Sequence, residues 1–205
     1  MIRNLSLAII FLLPWSVNSQ PVGDAISFEA ILEELLTSDK STIIVSDKLV
    51  DLGNYTARKV DRLFPGVVID SGKVVLNKSL EFENCQFTGR GFRDLRINQL
   101  VLKKSNISSI VFMGVDIDHL EINGGQISHL KILNSRFDQL KIRSITRDQN
   151  EQGEISVFKS GIKHLIISEC KDYNSIGVFA SDLGNVRFAN NASRLTGLAS
   201  NIISG

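Results

Sequence analysis

Asp116, Asp118, Arg136 and Asp138 are the side chains of this 205-residue sequence whose types and spacing come nearest to a catalytic set. Carboxylates beside a cation can serve the acid–base cleavage of a polysaccharide, by hydrolase or lyase chemistry, when a fold gathers them in one concave cleft. The same charges on outward strand positions are, by default, a solvated face. His119, His129 and His164 are the other titratable candidates, and no Cys/His/carboxylate cluster around them has metal-ligand spacing. Glycine-rich phosphate loops and a GxSxG elbow are missing too, so the sequence predicts neither cofactor nor metal. What these residues do depends on the element that carries them.

That element repeats. Phe82, Phe87, Phe92, Ile97, Leu102, Ile107, Phe112, Ile117, Ile122, Ile127, Ile132, Phe137 and Ile142 place a large apolar residue at every fifth position. A helix repeats at 3.6 and a strand at 2, so neither explains the period. A fixed internal period is the mark of a solenoid. Two places before each centre the residue is apolar or small, Arg90 excepted, and the residue between is mostly polar. Such in–out–in alternation describes a strand of about three residues followed by two corner residues. Two places before the centres, Ile110, Leu120, Leu130 and Leu140 alternate with Val115, Gly125 and Ser135. Large and small thus exchange every ten residues, which leaves a flattened section and a ten-residue unit both open.

Units such as CQFTG, SNISS and VDIDH resemble the pentapeptide-repeat family, well over residues 80–142 and loosely over 160–198. The resemblance implies an all-β solenoid: a right-handed parallel β-helix of quadrilateral section, four units per coil, with residues twenty apart in direct contact. A generic β-helix with longer, irregular coils is the other fold compatible with the pattern. On the twenty-residue coil the inner columns are Phe82/Leu102/Ile122/Ile142, Phe87/Ile107/Ile127, Phe92/Phe112/Ile132 and Ile97/Ile117/Phe137. Arg96, Asp116 and Arg136 become an outward ladder of alternating sign, and Glu121 lies under Lys141. His119 and His129 fall on opposite sides. Cys85 and Cys170 point inward several coils apart, farther than the about 7 Å a disulfide spans, and are expected as buried free thiols.

Around this core the sequence divides into a leader at 1–19, an α/β capping segment at 20–66, the β-helix at 67–198 and a tail at 199–205. Arg3, the apolar run Leu7 to Leu13 and Pro14 read as a secretory signal peptide cut after Ser19. Its apolar core is too short to span about 30 Å of hydrocarbon, and no later stretch predicts a membrane span. In the capping segment, Phe28, Ile31, Leu32, Leu35 and Leu36 share one helical face, suited to covering an open solenoid end. The polar stretch 143–159 predicts a loop leaving the wall, where binding residues concentrate. Arg96, Asp116 and Arg136 on the wall, with Arg147, Asp148, Glu151 and Glu154 in that loop, are therefore the expected binding surface.

Removing Arg3 with the leader leaves 22 basic and 22 acidic side chains, which gives no support to nucleic-acid binding. Some pentapeptide-repeat proteins resemble DNA and act on topoisomerases; balanced charge and an export leader point elsewhere. The expectation is a secreted or periplasmic, non-catalytic scaffold that binds a protein or a cell-envelope polymer, with the carbohydrate-active enzyme as its rival. Export from a bacterial host should yield a mature N-terminus at Gln20. Recovery of exported chain still beginning at Met1 would contradict the leader.

Overall fold

A computed structural model describes residues 23–53, 55–199 and 201–203; the expected leader lies outside them. Left-handed backbone residues recur every ten positions: Asn84, Asp94, Lys104, Gly114, Gly124, Asn134 and Ser144, with φ between 45° and 72°. A left-handed residue reverses the strand sharply, and non-glycine residues seldom adopt it. Between these corners the successive outward pairs Asn98–Gln99, Asp118–His119 and Asp138–Gln139 mark a gentler bend. The backbone unit is therefore ten residues long, and two such units close one coil. The result is a β-solenoid of about eight turns built almost wholly of parallel strands.

The four inner columns stack as the period requires. Phe82, Leu102, Ile122 and Ile142 follow one another in register, as do Phe92, Phe112 and Ile132. The Phe92 and Phe112 rings stack with centroids 5.3 Å apart. Each fully buried side chain of this size stabilises the fold by about 1.5–3 kcal/mol. Most residues just after a left-handed corner are of modest size (Cys85, Ser105, Val115, Gly125, Ser135), Leu95 and Ile145 being larger, and at Gly125 an added Cβ would sit 2.2 Å from the Ser105 carbonyl oxygen. Several of these small residues are buried serines whose hydroxyls bond the backbone. Ser135 Oγ donates to Leu133 O at 2.8 Å and accepts from Val115 N at 3.3 Å. Ser160 and Ser181 repeat the arrangement one and two coils on. Cys85 and Cys170 occupy the other corner column as free buried thiols, and burial pushes the Cys170 thiol up to about 12.

The wall starts earlier than the expected boundary at residue 67. Thr42–Ser46 and Leu49–Asp51 pair in parallel with Lys73–Glu83 and Gln86–Thr88, so this part of the 20–66 segment belongs to the solenoid. The end is covered by helix α1, Phe28–Thr37, capped by Ser27 Oγ accepting from Ala30 N. Its buried face of Phe28, Ile31, Leu32 and Leu35 closes the first coil, with Phe28 edge-on to Phe92. A short helix α2, Ala57–Leu63, follows. At the other end, Ile202–Ile203 pairs with Asp182–Leu183, so the wall also enters the expected tail.

Residues 143–159 do not form one loop. Ile145 is buried, Thr146 bridges Gln126 and Lys171, and Glu154–Phe158 is a wall strand between two neighbours. Only about residues 147–153 leave the wall, adding five residues to that coil: Leu130 pairs with Ile155, twenty-five positions on. The inner column of Ile107 and Ile127 is interrupted there, because its next residue, Arg147, departs with the loop. Tyr173 fills the space, donating its hydroxyl to Ile127 O and lying 3.4 Å from Thr146 O. A one-residue bulge at Asp172 (φ 66°) brings Tyr173 inward, which explains why Asp172 stands where an apolar residue is due.

Ser160→Ala deletes a buried acceptor of Ser135 N and a donor to Phe158 O, and should cost about 1–3 kcal/mol in denaturant unfolding. Ser109→Ala, on the exposed side of the same fold, should stay within about 0.5 kcal/mol. Equal effects would show that the serine column does not hold the corners.

Candidate functional site

Because the coils stack in register, outward residues at one bend gather into a continuous wall. Arg96, Asp116, Arg136, Gly161 and Asp182 succeed one another in one row. Gln99, His119, Gln139, His164 and Asn185 form a second row beside it. Asp118, Asp138 and Lys163 stand between the rows. Over the coils from Asp116 to Asn185 these rows enclose an open groove of ≈ 560 Å³. At about 4.8 Å per coil it runs roughly 15–20 Å along the solenoid. Its floor is the strand backbone over Ile117, Phe137 and Ile162, whose side chains point into the core.

Charge in the groove is distributed unevenly. Asp116 Oδ1 lies 2.6 Å from Lys73 Nζ and its Oδ2 3.2 Å from Arg96 Nη2. Arg96 also binds Asp70 at 2.5 Å; the Ser71 hydroxyl, then the Arg96 guanidinium, hold the exposed Asp70 carboxyl below its usual range. Asp138 pairs with Lys163 at 2.7 Å, and His164 Nδ1 lies 3.3 Å from Asn185 Nδ2. Arg136, Asp118 and Asp182 make no side-chain hydrogen bond or ion pair among the described residues. The expected ladder thus forms between Arg96 and Asp116 and ends there. Glu121 also departs from expectation: it sits in register with Lys141 but pairs with Arg143 at 2.5 Å. Glu81 and Lys103 repeat this diagonal, in which the base lies two residues beyond the register partner.

The seven residues expected as a binding surface divide between two places. Asp116 and Arg136 line the groove and Arg96 adjoins it one coil before Asp116, whereas Arg147, Asp148 and Glu151 lie in the loop about half a coil away. The loop charges face inward. Arg147 Nη1 donates to the carbonyls of Asp148, Gln149 and Glu151, and its Nε to Asp172 O. Asp148 accepts from Asn150 N at 2.9 Å, and Glu151 from the Ser108 hydroxyl at 2.8 Å. Glu154 belongs to the next strand, in register with His129. By contrast, Asp116, Asp118, Arg136 and Asp138 do line one groove, joined by Lys163, His164, Asp182 and Asn185. Counting by twenty from Asp138 reaches Phe158 and misses Lys163, because the loop shifts the frame by five. Among the described residues, no group of three His, Cys, Asp or Glu could hold a metal, and no helix is long and apolar enough to cross a membrane.

Comparison with protein-family models, with curated proteins and with solved structures finds no match.

Arg147→Ala removes charge-assisted hydrogen bonds to four loop and bulge carbonyls. Limited proteolysis between residues 148 and 152 should then accelerate about ten- to a hundredfold. A first cut inside 80–142, or no change in rate, would overturn the assignment of Arg147 as the loop's clamp.

Proposed function

We propose that the chain is a divergent pentapeptide-repeat protein, exported by its leader, that acts as a non-catalytic scaffold and binds a cell-envelope polymer along the Asp116–Asn185 groove. The observation that carries this reading is the groove itself, a rigid open wall to which successive coils contribute hydrogen-bonding side chains at a fixed spacing. A polymer with regularly spaced hydroxyls matches such a surface, since each coil repeats the contact. Apolar side chains that would anchor a folded partner or a peptide are turned into the core here.

Two features favour binding over cleavage. Asp116, the register neighbour of Arg136, and Asp138, two residues along its strand, are held by Lys73 and Arg96 and by Lys163 respectively. The unpaired acids Asp118 and Asp182 stand three coils apart, about 14 Å at the usual strand spacing. Paired glycosidase carboxylates lie about 5–9.5 Å apart. The balanced charge of the mature chain also matches a surface that does not follow nucleic acid.

Mature chain should be retained on immobilised envelope polysaccharide in affinity electrophoresis. Combining Asp118→Ala with His164→Ala, which removes two polar groups from the groove, should weaken retention about tenfold. Retention that survives both substitutions would move the site off this wall. Release of new sugar ends, abolished by Asp116→Ala, would overturn the non-catalytic reading in favour of an enzyme.

A further inference from the structure

The alternation of charge along the groove row stops at Arg136, and Asp182, two coils on, does not resume it. Arg96, Asp116 and Arg136 alternate in sign, and an acid at the next register position would continue the series. That position holds Gly161. Nothing in the fold requires a glycine there. Its φ lies outside the left-handed region, and an added Cβ would meet only Arg136 Cγ, at 3.9 Å, an ordinary contact. Gly184, one coil further, is different: a Cβ there would fall 2.3 Å from the Lys163 carbonyl oxygen, so packing fixes it. Gly161 thus leaves unfilled, beside the Arg136 side chain and within the groove, the space that a side chain of its own would take, a notch in the wall.

Arg136 needs a partner that the chain does not give it. Asp116, its register neighbour, has both oxygens engaged by Lys73 and Arg96. Asp138, two residues along its own strand, is held by Lys163. The guanidinium is exposed and has no ion pair among the described residues. A planar fork of donors in this state matches a carboxylate bidentately.

We propose that the Arg136–Gly161 notch is an anion subsite, which seats a carboxylate of a hydroxyl-rich polysaccharide where the row lacks its own acid. This rests on the groove being the polymer-binding wall. Charge selects the kind of polymer. Asp118 and Asp182 face the same groove unpaired and repel a densely charged chain, so acidic sugars separated by neutral ones fit best. Asp118 accepts from the intervening hydroxyls, and the side chains of His164 and Asn185 offer further polar contacts.

The test titrates the mature chain with an oligosaccharide of alternating uronic acid and neutral sugars, with the same oligosaccharide after carboxyl reduction, and with monomeric glucuronate. The acidic oligosaccharide should bind about ten- to a hundredfold tighter than the reduced one, and the monomer should bind weakly at the same residues. Arg136→Gln should erase the difference between the two oligosaccharides. Gly161→Asp, which supplies the missing acid from within the chain, should erase it as well without lowering the melting temperature. Equal binding of both oligosaccharides, unchanged in Arg136→Gln, would overturn the anion subsite and leave the groove reading intact. Binding of neither would overturn both. Tighter binding of an Asp- and Glu-rich peptide than of either sugar would overturn the choice of a polysaccharide.

Discussion

A coil that stacks directly on its neighbour must turn its backbone in very little space without orphaning buried polar groups, and this requirement shapes most of the molecule. The left-handed corners achieve the turn, at residues as unfavourable for that conformation as Lys104 and Ala180. Corners such as that before Gly125 crowd the following Cβ, although Leu95 and Ile145 fit at others, and they leave backbone groups facing the core. A small residue relieves the crowding, and a serine also satisfies the backbone, as Ser135, Ser160 and Ser181 do in succession. At the last described coils the role passes to asparagine. Asn201 accepts from Ser181 N and donates to Val178 O, and Asn191 serves Cys170 N and Ile167 O. Like the serine hydroxyls, each amide serves one backbone N–H and one carbonyl, but it reaches a carbonyl of the preceding coil rather than one two residues back.

The inner columns were legible in the sequence because burial writes itself directly into residue type, and Phe92 over Phe112 over Ile132 needs only counting. The ten-residue unit showed itself as an alternation of large and small, without its cause. Left-handed backbone is tolerated at a corner by Asn, Asp, Lys, Ser and Gly alike, so no single residue type announces it. Frame slips were harder still. By count Asp172 stands where an apolar residue is due, and it is one bulged residue that admits Tyr173. The capping segment was read as separate because Thr42–Ser46 carries no five-residue period, yet its buried–exposed alternation is that of a wall strand.

For the candidate site, the sequence supplied the row Arg96, Asp116, Arg136 and the neighbouring carboxylates, all from the regular region. It did not supply Lys73 or Lys163, and it offered His164 without placing it beside these residues, since each lies across an irregularity in the count. Pairing was also misjudged wherever side-chain length decides. A lysine directly in register with Glu121 loses to Arg143 because the base two places on approaches along the wall's diagonal. Exposed pairs of this kind contribute about 0–1 kcal/mol each. Their effect is to determine which charges stay unpaired, and that is what gives the groove its character.

The loop and the groove are linked through register. Five additional residues between Thr146 and Ile155 could have shifted every later strand by one repeat unit. They are instead looped out, clasped by Arg147, and the void they leave is filled by Tyr173. Strands from Glu154 onward therefore resume their alignment, with Lys163 beside Asp138 and Gly161 beside Arg136. Had the wall absorbed the insertion, Ser156 would have faced Arg136 and Phe158 would have met Asp138. A hydroxyl would occupy the notch and an aromatic edge would oppose a carboxylate. The loop's inward-facing charges are thus explained without a ligand of their own: they keep the insertion compact, and what they preserve is the composition of a wall half a coil away.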